Sequence, residues 1–512
     1  MLMETLFTDG QIDQIREGAI AILSEIGITL HRDDLLRLLA SKGYAAVGTS
    51  VRIEPQVTRD KLERGPSRSK PKAAATAGEG KGGGAGGKGE GAAGAGGTGG
   101  ASAGGKGKAG SSDKGIAAVV GAGRPARPIA TRTNGYAHTY EMMDGTLIPI
   151  DDAGNRRMGE YAAKVAAIWP NFKPSCPGRP TEVHPEAQFL RRNVNSAVCC
   201  EGYVPHEINS VRTSDHHFAL CEALGKPVKG LPIFVATPLR MAGVSLDIAY
   251  RHRDHIDDVY VMSMPSLGAN TPLNLVAAYA QTLAENLGGA ILFEELTDVR
   301  TYYGAGLLPF DFRDLSMPFG TPEKMLLEWA NHEVSVRLNG GIPSYPDGTD
   351  IHTNAVRCGV QACAEKASLA TLGAFLGAGF MPCVGTLAMD ESFSPVQLLL
   401  DLEILGHAEK IATGLPNDAY VGDLVAEVRE GLSKGYLMSD RTLDNMGRYS
   451  WNPRFFSRKT MGAFTSRPFK SEVEKAADMA SDLMSGPAVW RCEAGLEREL
   501  ERIYASALAS LR

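Results

Sequence analysis

The chain has 512 residues, 43% of them hydrophobic and 22% charged, with a formal net charge of −6 and an isoelectric point near 6.0. Such a composition belongs to a globular protein. It offers no attraction for nucleic acid or an anionic membrane, no apolar run long enough to span a bilayer, and, with eight cysteines in so long a chain, no disulfide scaffold. The opening MLMETLFTDG lacks a basic stretch followed by an apolar core, so the expectation is a cytoplasmic, reduced protein without a secretory signal.

In chain order, Asp9 is placed to cap a helix whose Ile12, Ile15, Ala19, Ile22, Leu23 and Ile26 share one face. A second helix over Asp33 to Ser41 and a short strand over Val51 to Ile53 complete a helical N-terminal region, residues 1–65. Composition then changes abruptly. From about residue 66 to 114, Gly, Ala, Lys and Ser dominate and apolar periodicity vanishes, which predicts a disordered insertion. Gly100, Gly105 and Lys106 have the spacing of a phosphate loop, but Gly107 stands where a hydroxyl must reach magnesium. Gly121, Gly123 and Ala126 imitate a dinucleotide fingerprint, yet Pro125 and Pro128 interrupt the helix it requires.

Globular patterning resumes at Tyr136, with a hairpin turning at Asp144-Gly145 and a helix over Asn155 to Trp169. Strands and helices then alternate. Seven strands are expected: Phe172 to Cys176, Val204 to Ile208, Leu231 to Ala236, Val259 to Met264, Thr301 to Ala305, Ile342 to Tyr345 and Phe380 to Val384. The helices between them are Pro185 to Val198, His216 to Leu224, Pro272 to Leu296, Thr321 to Leu338, Asn354 to Leu376 and Pro395 to Thr413. Alternation of this kind implies parallel strands with crossover helices. The fold class is α/β, read as a TIM (β/α)8 barrel over residues 115–413 with helical N- and C-terminal additions. An open doubly wound sheet is the alternative, because the eighth strand is not visible. Residues 414–512 read as a helical extension, with an aromatic and basic patch around Arg448 to Phe456 expected to pack on the sheet domain.

The stretch Leu338 to Thr353, LNGGIPSYPDGTDIHT, has the form of a helix end, a short buried strand and a polar loop. Parallel strands share one mouth at their C-terminal ends, and this loop would deliver Gly348, Asp350 and His352 to it. An ordinary βα turn is the bland alternative. The cysteines have no metal-closing spacing and no serine sits in a nucleophile elbow, so neither a metal site nor hydrolase chemistry is expected. Glu294 and Glu295 are adjacent on a helix and point apart, which predicts one paired and one solvated carboxylate rather than an acid/base pair. In Asp311-Phe312-Arg313, a guanidinium suited to a carboxylate flanks an aromatic face suited to a cation, a grip for a zwitterion. A structural ion pair fits the same three residues equally well.

From about residue 134 to 413 the chain resembles the corrinoid-dependent trimethylamine methyltransferase superfamily. The resemblance is carried by Asn270 to Glu294 with its Ala-Glu-Asn centre, Tyr303-Gly304 with Phe310 to Arg313, Gly320-Thr321-Pro322-Glu323, Gly348-Thr349-Asp350, and Gln361-Ala362 with Glu365-Lys366. It implies a TIM barrel that moves a methyl group from a methylated amine to cobalt(I) of a corrinoid (cobalamin) on a separate partner protein, with no tightly bound cofactor of its own. Founding members carry pyrrolysine near the Asp347 to Asp350 turn. Only standard residues stand there, so the chain resembles the branch that includes glycine betaine methyltransferases. The implied roles are Arg313 for a substrate carboxylate, Tyr303, Phe312 and Tyr345 around the ammonium, Asp311 and Asp350 as orienting groups, and His352 with Gly348 facing the corrinoid. A homo-oligomer is expected. Because Gly359 replaces an aspartate, a betaine-binding protein without turnover is the second reading, and a nicotinamide enzyme using Gly121 and Gly123 a distant third.

Overall fold

The computed structural model describes residues 5–65, 128–338, 350–463 and 469–512. The glycine-rich segment with its two nucleotide-like patterns, and the part of the central stretch that holds Tyr345 and Gly348, lie outside the described residues.

The N-terminal region folds as α1 (Asp9–Glu25), β1 (Ile28–Leu30), α2 (Asp33–Ser41), β2 (Ala45–Val47), β3 (Ser50–Arg52) and α3 (Pro55–Arg64). Thr8, not Asp9, caps α1. Its side chain accepts from the Gln11 amide while Gln11 reaches back, a reciprocal capping box. The expected face is correct, with Ile12, Ile15, Ala19 and Leu23 buried. These residues share one core with Val235, Val261 and Leu283, so the region packs directly on the sheet domain.

Next come β4 (Thr131–Arg132), β5 (Thr139–Glu141), β6 (Leu147–Pro149), α4 (Asp152–Ile168), β7 (Phe172–Lys173), α5 (Gln188–Cys199) and α6 (Ser214–Ala223). They are followed by β8 (Gly230–Val235), β9 (Arg240–Met241), α7 (Val244–Arg251), β10 (Asp258–Ser263), α8 (Leu275–Thr297), β11 (Arg300–Tyr303) and α9 (Pro322–Leu338). The hairpin at Asp144-Gly145 joins β5 to β6 as expected.

Parallel pairing among the described residues includes β1 with β9 and β5 with Ser392–Phe393, and two further blocks. One is β8–β10–β11, with Val259 opposite Leu231 and Thr301. In the other, β4 pairs with β7, and Ala130 bridges Phe380 in parallel. Thr131–Arg132 is thus one of the strands that the sequence reading did not mark. The expected strand over Val204 to Ile208 is irregular, and the Phe380 to Val384 stretch contributes a single bridge. The described residues establish an α/β fold with parallel blocks and do not close a ring.

The chain continues through α10 (Val360–Phe375), β12 (Thr386–Leu387), β13 (Ser392–Phe393) and α11 (Pro395–Thr413). It ends in α12 (Leu424–Lys434), α13 (Asp440–Tyr449), α14 (Glu472–Ser485) and α15 (Ala494–Ser510). Phe455, Ala476 and Ala480 join the core built by α4 and α11, as expected of the aromatic patch. Leu500, Ile503 and Ala507 of α15 pack on α5 and α6. Among the described residues no helix is long and apolar enough to cross a membrane.

Candidate active site at the strand ends

Residues 350–355 run beside the chain that leaves the Phe380 to Val384 stretch. The Ile351 amide donates to the Pro382 carbonyl, Met389 to Thr353, and Ala388 to Ala355. This places Asp350 and His352 at the C-terminal strand ends. His352 is buried, its ring centroid 5.1 Å from that of Phe319. Lys324, buried in the first turn of α9, also stands against Phe319, its Nζ 5.8 Å from the same ring centroid and paired with Glu328. Burial, helped by Lys324 and Lys366, pushes the His352 imidazole down to about 3, so it is neutral near pH 7, and its Nδ1 has no hydrogen-bond partner among the described residues. Burial raises the Asp350 carboxyl above its ordinary value, with Lys324 and Arg132 pulling in the opposite direction.

The loops are held from the helices. Asn354 Oδ1 accepts the amides of Phe319 and Gly320, both at 2.8 Å. Glu365 of α10 accepts the Asn354 amide at 2.9 Å and the Thr353 hydroxyl at 2.5 Å. Gly320 leaves room for this clamp, because a Cβ there would lie 2.0 Å from the Glu365 carboxylate, which would have to shift. Lys366, on the same helix, is fully buried against Asp401 of α11 at 2.6 Å, and Asp401 in turn holds the Gly385 amide at 2.7 Å.

A second charged group completes the mouth. Arg192 of α5 pairs with Glu207 at 2.6 Å, and its guanidinium lies 3.1 Å from His206 Nε2. Burial drives His206 down to about 3. Burial alone would raise the Glu207 carboxyl, but Arg192, His206 and Arg132 outweigh it and leave the group lowered. Gly135 makes room for the pair, since a Cβ there would lie 2.0 Å from Glu207 Oε2. Arg132, last residue of β4, stacks over Phe380 at 5.4 Å and acts electrostatically on both Asp350 and Glu207, joining the two groups.

Of the residues expected at the site, the structure brings Asp350 and His352 together. Asp311, Phe312 and Arg313 lie on an exposed rim loop after β11. Asp311 accepts the amides of Arg313 at 2.7 Å and Asp314 at 3.0 Å, which lowers its carboxyl and fixes the loop. The aspartate thus holds the backbone rather than forming the alternative ion pair. Phe312 is 58% exposed, edge-on to Phe310. Tyr303 is a correction, because it is 2% exposed and belongs to the core between the sheet and the helices. Thr301, two residues earlier on the same face of β11, bonds Glu294 of α8, which fixes the direction. Glu294 is the paired carboxylate of its doublet, held by Lys61.

Sequence reasoning missed Lys324, Arg132 and the Arg192–Glu207 pair. Among the described residues no group of three or more His, Cys, Asp or Glu side chains is arranged to hold a metal.

Residues 214–506 match the family model of trimethylamine methyltransferase (MTTB). Trimethylamine methyltransferase MttB of Methanosarcina barkeri strain Fusaro is 24% identical over 292 residues, 57% of this chain and 58% of the relative. MttB2 of Methanosarcina mazei is 24% identical over 287 residues, 56% and 57% of the two chains. The similarity thus spans less than two thirds of these relatives. A hydroxylamine complex of MtmB aligns over 97% of this chain and 94% of its own, with a TM-score of 0.42 and 11% identity. The Methanosarcina barkeri monomethylamine methyltransferase MtmB aligns over 93% of both chains, with a TM-score of 0.41 and 11% identity. With more than half of its length matched by the family model, the chain belongs to the trimethylamine methyltransferase family.

Proposed function

We propose that this chain transfers a methyl group from a betaine-like quaternary amine to cobalt(I) of a corrinoid carried by a partner protein, on a (β/α)8 barrel. The family match over residues 214–506 carries the reading. The charged mouth formed by Arg132, Asp350, His352 and Lys324 supports it, because it lies where such barrels present their chemistry.

In the reaction the cobalt electron pair forms the new bond to carbon. The carbon–nitrogen pair stays on nitrogen, which leaves neutral. A quaternary nitrogen needs no proton for this, whereas a tertiary amine must first be activated. Burial keeps His352 and His206 neutral near pH 7, so neither is an imidazolium ready to protonate a leaving amine.

The exposed guanidinium of Arg313 would take the substrate carboxylate in bidentate fashion. Phe312 and Tyr345 would present ring faces to the ammonium. Asp311 is a positioning residue through the amides of its loop. Asp350 would orient the cationic groups, and His352, with Gly348, would face the incoming corrinoid. The substrate would be aimed with one N-methyl outward, an alignment effect.

The test is incubation with glycine betaine and a cobalt(I) corrinoid, followed in the visible spectrum, with trimethylamine in parallel. Cobalt methylation with betaine is expected. A flat spectrum across a panel of betaines, with a corrinoid that a known methyltransferase does methylate, refutes the reading.

A further inference from the structure

Among the described residues, the helical hairpin between α11 and the Trp451 to Phe456 segment lacks an apolar partner. It is anchored at both ends on α11. Trp451 packs against His407, and the Glu403 carboxylate accepts the amides of Arg454, Phe455 and Phe456 at 3.1, 2.9 and 3.0 Å. Between the anchors, residues 414–450 carry thirteen large apolar side chains that remain exposed, among them Val421 at 80%, Leu432 at 78%, Leu437 at 79% and Met438 at 73%. The pattern is not random. Leu424, Val425, Val428 and Leu432 lie along one face of α12, and Leu443 and Met446 along one face of α13. Yet α13 buries no side chain, and α12 buries only Gly431. Helices of 11 and 10 residues are marginal in water alone and depend on covering their apolar faces.

We propose that residues 414–450 are a self-association surface, in which the hairpin of one chain pairs with the same hairpin of a second copy. Three observations favour a second copy over another occupant. The first is area. Ten of the thirteen are more than half exposed, an unusual concentration of apolar surface for residues 414–450. The largest apolar patch of a monomer is about 300–600 Å². A standard interface needs about 800 Å² per partner, and permanent ones are the most apolar.

The second is charge. The hairpin holds six acidic and four basic side chains, and ion pairs within it join Arg441 to Glu427 at 3.3 Å, Lys434 to Glu430 at 3.0 Å and Arg448 to Asp418 at 2.6 Å. A nearly neutral, internally paired rim lets identical surfaces meet without repulsion and offers nothing to a strongly charged partner.

The third is position. Glu409, near the end of α11, accepts the amide of Ile129, two residues before β4. The hairpin therefore leaves from the N-terminal ends of the strands, opposite the mouth that holds Asp350 and His352. A methyl acceptor reaching that mouth does not cover it.

Sedimentation velocity of the full chain at micromolar concentration tests the proposal. A dimer or a multiple of dimers is expected. The double variant Leu432→Glu, Leu437→Glu should raise the dissociation constant at least a hundredfold, while Val47→Glu, at an exposed apolar residue elsewhere, should not. If the double variant fails to fold, Met438→Cys with a short bismaleimide provides a second readout, and a crosslinked dimer through residue 438 is expected. A monomeric wild type, an unchanged double variant that folds, absence of the crosslink, or a monomer that floats with lipid vesicles overturns the proposal.

Discussion

Replacing Lys366 with Met should be among the most damaging single changes in the molecule. Lys366 and Asp401 are both fully buried and 2.6 Å apart. Lys366 also donates to the Cys383 carbonyl at 3.2 Å, and Asp401 accepts from Gly385 and Gln397, both at 2.7 Å. Methionine conserves most of the stem volume, so packing contributes little. What remains is a carboxylate in an apolar core with its cation removed, a loss of about 3–5 kcal/mol when a buried pair is broken. Burial already raises the Asp401 carboxyl, and loss of the cation raises it further. The carboxyl is then neutral at acidic pH and charged at higher pH, so the deficit must grow as pH rises and narrow as it falls. Adding Asp401→Asn removes the stranded charge while keeping an acceptor for the Gly385 amide. The double variant should therefore recover about 1–2 kcal/mol relative to Lys366→Met. Urea unfolding midpoints of the wild type and the three variants, at neutral and mildly acidic pH, measure all of this. A Lys366→Met protein within about 1 kcal/mol of wild type at neutral pH, or a double variant weaker than the single one, would refute the account.

Gly320→Ala puts a methyl 2.0 Å from the Glu365 carboxylate, which holds Thr353 and Asn354. Stability should fall by about 1–3 kcal/mol, and methyl transfer should fall with it; unchanged urea midpoints would contradict the packing argument. Arg313→Ala should leave stability intact, because the side chain is exposed. It should raise KM for glycine betaine roughly 10- to 100-fold, as expected for a lost charged hydrogen bond, without affecting a quaternary amine that lacks a carboxylate. Acid should destabilise the fold through its neutral histidines. His352 and His206 lie near 3 and His217 near 4, all pushed down chiefly by burial. Between those values and about 6.5 the unfolded chain binds more protons, so stability rises with pH, by up to about 1.4 kcal/mol per pH unit for each histidine. A urea midpoint that stays flat from pH 7 to pH 5 would count against neutral burial of these rings.

The strong periodic elements were legible before the structure. α1 buries the face its apolar spacing marked, and α8 and α11, buried nearly all round, lie within or one residue beyond the expected helices Pro272 to Leu296 and Pro395 to Thr413. What escaped was short or set by distant partners. β4 is two polar residues whose strand character comes from Phe172 and Phe380 on either side. The Val204 to Ile208 segment reads as an apolar strand, but its polar groups are taken by side chains of α5, with the His206 carbonyl bound by Asn193 and Glu207 by Arg192. α10 starts at Val360 rather than Asn354, because Asn354 is committed to the Phe319 and Gly320 amides. At the site, Asp350 and His352 were visible in a polar loop. Lys324 was not, because a lysine in the first turn of a helix reads as solvated until Phe319 and Glu328 are seen to cover it.

The same logic explains why the mouth is built from loops yet holds its shape. Glu285 of α8 accepts the Leu239 amide and the Thr237 hydroxyl, Glu365 of α10 holds Asn354 and Thr353, and Asp401 of α11 holds Gly385. Each is a carboxylate on a helix behind the sheet, reaching over a strand end to a loop amide. A loop pinned this way loses its low-energy openings, because freeing it would leave a largely buried carboxylate unsatisfied. The rim loop of Asp311 has no such clamp from a helix, and its aspartate bonds only its own amides. The fixed part of the mouth is thus suited to aligning a reacting methyl group. On the proposed reading, the self-contained rim loop would be the part that closes over the substrate, which would divide positioning from capture along the line between clamped and unclamped backbone.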